Sequence, residues 1–322
     1  MSQRVTIADV AQAAGVSAST VSRALNNHSA IPESTRLQIR QIANQLGYRP
    51  DVRARNFRLQ RSETIATLFP YQEEISQHPI SDPFYLEIMG AITDELDQHG
   101  YDSIIARVHA QRDDWCERYV VDKRVDGILL IDRAVDDISI HTLQALEANF
   151  VVWGAAMSGQ SYVSVGCDGQ AGAQDAIQHL VSVGRKCIGF IGGFRGMVET
   201  AMRRQGYERG LVQAGLGYDE SLVVYTDFTP EGASHAVQTL LERAPDLDGI
   251  FACSDFMAVG VMEVLRQMGY EVGRDISVVG YDDIPLAAHF SPKLTTIRQP
   301  IQQGGRLMVQ TLFAMMEGHP AQ

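Results

Sequence analysis

Five residues near the amino terminus, Ala18, Ser19, Ser22, Arg23 and Asn26, fall at i, i+1, i+4, i+5 and i+8. On a helix that spacing puts them on one face. The face is small and polar, with a single guanidinium fork, so it permits close approach to another surface. The fork can donate two coplanar hydrogen bonds, as to the edge of a guanine. A second set of polar residues lies farther along the chain: the carboxylates of Asp132, Glu199, Asp255 and Asp282, the hydroxyl of Ser254 and the guanidinium of Arg203. Carboxylates accept hydroxyl protons, and a planar guanidinium can serve two vicinal hydroxyls or one carboxylate. Neither set reads as catalytic. Asp282 and Asp283 are adjacent, and on an extended strand they point to opposite faces rather than flanking a substrate. IGGFRG (191–196) lacks the glycine spacing of a dinucleotide fingerprint, and no GxSxG, HExxH or Walker pattern is present. The four cysteines (Cys116, Cys167, Cys187 and Cys253) are far apart and show no CxxC spacing. We therefore expect no metal, no cofactor, no disulfide framework and no enzyme activity.

The elements that must position the first set are legible in TIADVAQAAGVSASTVSRAL (6–25). Thr6 and Asp9 form a capping-box-like start. Ile7, Val10, Ala11 and Ala14 then make one apolar stripe. Gly15 suits a left-handed helix end, and Ser17 suits the cap of a second helix. In that helix Val21, Ala24 and Leu25 turn inward, opposite the small polar face. A third helix is predicted from about Pro32, through Ile39, Ile42, Ala43 and Leu46, ending near Gly47. Three short helices with a tight turn between the first two make a helix-turn-helix unit. Its slim second helix suits the major groove of DNA.

Charge agrees with this reading. Residues 1–62 hold nine arginines and three acids, a net +6, while the remainder holds 18 basic and 36 acidic residues, a net −18. A basic head on an acidic body implies that only the head meets a polyanion. After the third helix comes YRPDVRARNFRLQRSET (48–64), with Arg53, Arg55, Arg58, Arg61 and the aromatic Phe57. Two helical turns are possible here. They would be marginal alone, suited to folding on DNA with an apolar wedge in the minor groove, and a plain basic linker fits the spacing equally well.

These residues carry a resemblance. TIADVAQAAGVSASTVSRALN (6–26) is similar to the signature of the LacI/GalR, or lactose-repressor, family of transcriptional regulators. The resemblance implies base reading by Ala18, Ser19 and Arg23. Ser17, Thr20 and Ser22 would mainly fix the register on phosphates. Thr6, Asn26, Arg53, Arg55 and Arg58 complete the implied DNA-binding set. The family's hinge helix inserts a leucine at the operator centre, and the aligned residue here is Phe57.

From residue 64 the chain alternates short apolar runs with amphipathic segments. Strands are predicted at 64–69, 101–108, 126–131, 150–155, 162–167, 187–193, 222–228, 249–254, 276–282 and 294–300, with helices between them, among them 84–99, 169–183, 200–215, 231–243 and 255–268. Such alternation predicts parallel sheets covered by helices, and ten strands predict two lobes with a ligand cleft at the strands' carboxyl ends. The family's body resembles periplasmic sugar-binding proteins. The expected fold is thus an N-terminal all-α helix-turn-helix domain (1–49), a hinge helix or linker (50–62), and an α/β two-lobed periplasmic-binding-protein-like core with parallel sheets (63–322). By that alignment the N-lobe takes 63–158 and 293–322, the C-lobe takes 159–292, and the crossovers fall near 157–161 and 289–293. The resemblance also implies a strand after the last helix, whereas this sequence ends at GHPAQ.

The resemblance assigns an effector site. Arg203, in RRQGYERGL (203–211), matches the arginine that holds a sugar hydroxyl pair, and Phe228 matches a stacking aromatic. Phe84 and Tyr85, at the helix start after Pro83, would form the opposite wall. Asp132, Glu199, Ser254, Asp255 and Asp282 would supply polar contacts, with Ser254 standing where relatives often carry Asn. Trp153 fits either a stacking or a core role. The expected protein is a cytoplasmic, homodimeric repressor of a near-palindromic double-stranded DNA operator, controlled by a mono- or oligosaccharide. A purine or nucleoside effector is one alternative. A sugar carrier without DNA function is another, opposed by the basic head and by an amino terminus without an apolar signal region. No apolar run is long enough to predict a membrane span.

Overall fold

The computed structural model describes residues 5–48, 61–71, 80–112, 114–133, 137–157 and 159–319. The chain divides into two compact units, Met1–Ser62 and Glu63–Gln322. In the first, α1 (Ile7–Ala14), α2 (Ala18–Leu25) and α3 (Glu33–Gln45) enclose a small core of Val10, Ala11, Val21, Ala24, Ile39 and Ala43. The predicted punctuation is present. The Thr6 amide and hydroxyl both donate to Asp9 Oδ2, at 2.7 and 2.8 Å. Gly15 takes φ 65°, and its N–H reaches the carbonyls of Ala11 and Gln12. A side chain in that conformation would be strained, which is why glycine suits the corner. Ser17 Oγ then accepts the Thr20 amide at 3.1 Å and starts α2. Arg53, Arg55, Phe57 and Arg58 of the predicted hinge lie outside the described residues.

The second unit holds two five-stranded parallel sheets. The first lobe contains β1 (Thr64–Tyr71), β2 (Asp102–His109), β3 (Gly127–Leu130), β4 (Phe150–Trp153) and β5 (Ser164–Val165). The second contains β6 (Ile188–Gly192), β7 (Val223–Tyr225), β8 (Gly249–Ala252), β9 (Ser277–Asp282) and β10 (Thr295–Arg298). The spatial orders, β2-β1-β3-β4-β5 and β7-β6-β8-β9-β10, are the same order twice. Central strands such as GILL and GIFA are buried at every position, as expected of parallel strands with both faces covered by helices.

The helices after the first unit are α4 (Pro83–Gln98), α5 (Asp114–Cys116, continuing into a π turn at Glu117–Val121), α6 (Ile138–Ala145), α7 (Gly169–Ser182), α8 (Val198–Gln213), α9 (Pro230–Arg243), α10 (Asp255–Gln267) and α11 (Ile301–Met316). The last returns to the first lobe. Its Ile301, Met308, Val309 and Leu312 join the core around Ile65, Leu129 and Val151. Gly304 makes the close approach possible, since a Cβ there would lie 2.3 Å from the Trp153 ring.

The strand pairing revises the lobe boundaries read from sequence. β5 pairs with β4 and so belongs to the first lobe, although 159–292 was expected in the second. β10 pairs with β9 and so belongs to the second, although 293–322 was expected in the first. The chain therefore crosses between lobes at 166–168 and 299–300, not at 157–161 and 289–293. Both strands are edge strands with half-buried or exposed residues, so their apolar pattern does not say which sheet they complete. Among the described residues, no helix is long and apolar enough to cross a membrane.

Candidate functional sites: a helix face and an inter-lobe cleft

On α2 the residues predicted to face outward do so. Ser17, Ala18, Ser19, Arg23 and Asn26 are exposed, as is Thr6 before α1, while Thr20 and Ser22 are half-buried. Val21 and Ala24 are fully buried on the opposite side. The Ser17 hydroxyl lies 2.8 Å from both the Ser19 and Thr20 hydroxyls, and Asn26 Nδ2 donates to the Ser22 carbonyl at 2.8 Å. The amino-terminal turn of α2 thus presents a cluster of hydroxyls followed by one guanidinium. This arrangement can enter a groove and offer donors and acceptors to base edges and phosphates.

The cleft of the second unit lies where the strand order predicts it. In each sheet the chain reverses winding between the first and third strands, β1/β3 and β6/β8. Loops beyond the carboxyl ends of such strands diverge and leave a crevice. Asp132 follows β3, and Ser254 follows β8. The crevice there is lined from both lobes by Asp82, Phe84, Tyr85, Asp132, Trp153, Met197, Glu199, Arg203, Phe228, Ser254, Asp282 and Gln299.

Aromatic rings form the walls. Phe84 and Tyr85 start α4, where the Asp82 carboxylate accepts the Phe84 amide at 2.8 Å. Their centroids are 5.5 Å apart, and Trp153 packs on Phe84 at 5.9 Å. Trp153, 2% exposed, is both a core residue and part of the cleft lining. From the second lobe Phe228 lies across Gly193, where a Cβ would come within 1.8 Å of the ring. Three lining residues, Asp132 (φ 72°), Phe228 (φ 60°) and Asp282 (φ 123°), have left-handed or otherwise strained backbone. Such strain concentrates where surrounding structure holds a side chain to a task.

The polar groups are buried. Arg203 Nη1 donates to the Cys253 carbonyl at 2.6 Å, and its guanidinium stacks 3.8 Å over Tyr281. Its Nη2 lies 3.9 Å from Asp282 Oδ1, which also accepts Gln299 Nε2 at 2.7 Å. Burial opposes the Arg203 charge, but the Cys253 and Asp282 groups outweigh it and hold the side chain protonated. Burial pushes the Asp282 carboxyl well above its usual range, while Arg203 pulls it back. Tyr85 donates its hydroxyl to Asp132. Glu199, in the first turn of α8, is pushed up to about 7 by burial and then by the Asp132 charge, against the pull of Arg133. Neither Glu199 carboxylate oxygen makes a hydrogen bond among the described residues, and neither does Arg203 Nε. Buried polar atoms are rarely left so. The cleft therefore offers acceptors, one guanidinium edge and flat apolar walls.

Of the nine effector-site residues read from sequence, eight line this cleft. Asp255 is the exception. It sits beneath the cleft, where it accepts the Ile284 amide at 2.9 Å and the Thr296 hydroxyl at 2.5 Å. It braces the loop after β9, and burial pushes it up to about 7. Ser254, beside it, caps α10 by accepting the Met257 amide at 3.2 Å. Asp82, Met197 and Gln299 were missed. Asp82 carried a signal, an N-cap just before Pro83, but Gln299 reaches the cleft only because the chain crosses lobes there. Asp283 lies beyond the end of β9 and pairs with Arg298 at 2.6 Å.

Comparison with known proteins now bears on both sites. The family model "Bacterial regulatory proteins, lacI family" matches residues 6–51, and "Periplasmic binding protein-like domain" matches 177–322. The chain is 34% identical to the HTH-type transcriptional regulator CelR of Thermobifida fusca over 98% of this chain and 93% of that protein. The chain belongs to the LacI family. It is also 33% identical to the HTH-type transcriptional repressor CytR of Escherichia coli, over 97% of this chain and 90% of CytR. Among solved structures, a CelR–cellobiose complex aligns with TM-score 0.71 and 33% identity, covering 98% of this chain and 94% of that one. The lac repressor dimer bound to operator and the anti-inducer ONPF aligns with TM-score 0.85 and 24% identity, covering 98% and 94%, a likeness of fold. As a LacI-family member with its helix-turn-helix unit in place, the chain is a DNA-binding transcriptional regulator.

Proposed function

We propose that this regulator is a repressor whose operator affinity is set by a sugar, a glucoside of one or two rings, bound in the inter-lobe cleft. The observation that carries the reading is the buried set of Asp132, Glu199, Arg203 and Asp282 between Phe84, Tyr85 and Phe228, with both Glu199 oxygens and Arg203 Nε making no hydrogen bond among the described residues. A neutral polyol brings the hydroxyl donors such carboxylates need and the hydroxyl acceptors a guanidinium edge needs. Its flat apolar face fits the aromatic walls. The cellobiose in the CelR complex is the compound to try first. On this reading Phe84, Tyr85, Asp132, Glu199, Arg203, Phe228, Ser254 and Asp282 contact the effector. Asp255 holds the loop that presents Asp282.

On the DNA side, Ala18, Ser19 and Arg23 read bases. Thr6, Ser17, Thr20, Ser22 and Asn26 fix the register, and Arg53, Arg55, Phe57 and Arg58 engage the operator centre. The protein acts in the cytoplasm as a homodimer, because a two-fold protein matches a near-palindromic site. Coupling of about 1–3 kcal/mol between the sites corresponds to a roughly 5–150-fold change in operator affinity.

The test is calorimetric titration and thermal shift with cellobiose, other glucosides and nucleosides. A sugar at about 100 times its dissociation constant should stabilise the protein by roughly 2.7 kcal/mol. Arg203→Ala should remove that stabilisation and the effector response while DNA binding persists. Saturable nucleoside binding with no response to any glucoside would refute the sugar assignment.

A further inference from the structure

Among the described residues Arg133 is the bulkiest of the fully buried side chains, 1% exposed, and it is not among the residues lining the cleft. It follows Asp132, the cleft carboxylate at the end of the β3 segment, and its guanidinium turns toward the loop between β4 and β5. Nη1 donates to Gln160 Oε1 at 3.0 Å and to the Tyr162 hydroxyl at 2.8 Å, and Nη2 donates to the Ala155 carbonyl. Gln160 extends the network by accepting the Met157 amide at 3.1 Å and donating to the Tyr162 carbonyl at 2.7 Å and Ser164 Oγ at 2.9 Å. That loop runs directly into β5 and then into 166–168, where the chain crosses to the second lobe.

The remaining edge of the guanidinium faces the other lobe. Arg133 Nε lies 3.5 Å from Glu199 Oε1, and its carbonyl accepts the Val198 amide at 3.4 Å. The pair has ion-pair distance without a hydrogen bond, since Arg133 Nε and both Glu199 oxygens make none among the described residues. Gly154 leaves the room for it: a Cβ there would lie 2.5 Å from Glu199 Oε1 and 3.2 Å from Arg133 Nη2. One buried cation thus has its forward contact on an effector-cleft acceptor and its rear contacts on the segment that feeds the lobe crossover. Two charges in such surroundings are mutually dependent, because a shift in one leaves the other uncompensated.

We propose that Arg133 is the positioning residue that carries effector occupancy at Glu199 into the 155–168 crossover segment. A ligand hydroxyl donating to Glu199 weakens its hold on Arg133 Nε and so changes the pull of the guanidinium on Ala155, Gln160 and Tyr162, which it already holds without ligand. The crossover is set differently with and without ligand. This inference rests on the sugar-cleft reading above.

The experiment separates binding from response. Full-length protein is titrated with cellobiose by calorimetry. Operator affinity is measured by fluorescence anisotropy with and without cellobiose, on a duplex that the wild type selects from a random pool. Arg133→Lys keeps a cation near Glu199 but loses the fork, and Tyr162→Phe removes one rear contact with little change of volume. Both variants should bind cellobiose within about threefold of the wild type. The ratio of operator affinities with and without sugar should shrink by about fivefold or more, the lower end of ordinary allosteric coupling. A purely structural Arg133 would lower stability and leave that ratio unchanged. An unchanged ratio in both variants, with normal wild-type response, overturns this inference alone. A wild type that binds neither cellobiose nor any other glucoside overturns the sugar reading and this inference with it. If Arg133→Lys does not fold, Tyr162→Phe decides by the same ratio.

Discussion

Arg23 and Glu199 show how differently two charged residues are placed for work. Arg23 is exposed on the outer face of α2, where its fork is free to find partners on another molecule. Arg23→Ala should cost about 1–3 kcal/mol of discrimination at one base position, the value of a bidentate base contact. Competition binding among operator variants measures this, and unchanged discrimination would remove Arg23 from base reading. Glu199 is buried and its proton is held to about pH 7. Residue type was legible in sequence at both positions, but type alone does not fix use, and Asp255 was misplaced for that reason. A carboxylate at a strand end serves a ligand or a loop equally well, and only the Ile284 amide and the Thr296 hydroxyl show which.

Among the elements, α2 depends on its ends more than on its length. Eight residues make a helix too short to persist alone, and here it is held by Val21 and Ala24 in the core and by the Ser17 cap. Ser17→Ala should destabilise the helix-turn-helix unit by about 1 kcal/mol. Urea melts followed by hydrogen exchange of the α2 amides should show the loss there and leave the core lobes unchanged. Helices announce themselves by caps and stripes, so all three in this unit were predicted close to their observed bounds. Strands announce themselves by apolar runs, so all ten were found. Their partners were not. Ser164–Val165 and Thr295–Arg298 carry too little apolar pattern to state a sheet, and each was assigned to the lobe that follows it rather than the one it completes.

At the scale of the whole molecule, the buried cleft acids make the core sensitive to pH. Glu199 and Asp255 are raised to about 7 from 4.5 and 3.8, and Asp282 is raised well above 3.8. A carboxyl with a raised folded pKa binds more protons folded than unfolded. Its stabilisation is therefore full below the unfolded value and is lost as pH rises through the folded one. The exposed acids with lowered values, such as Asp219 and Asp275, act oppositely but only as pH falls below the ordinary carboxylate range. Between about pH 5 and pH 8 the buried set governs, and the melting temperature of the unliganded protein should fall across that window. Scanning calorimetry checks the slope. Glu199→Gln should flatten part of it, and a melting temperature that rises with pH would contradict the burial of these acids.

The sequence by itself determined the two-unit organisation, the basic head, the helix-turn-helix, the count of strands and most of the chemical types in the cleft. Those features are set by local periodicity, capping and side-chain chemistry, which travel with the residues. Tertiary structure alone decided which sheet each edge strand joins, where the chain crosses between lobes, that Gln299 reaches the cleft, and that Arg133 stands behind Glu199. Each of these depends on hydrogen bonds and buried charges between residues far apart in the chain, and no local pattern records a partner that is chosen only when the lobes have formed.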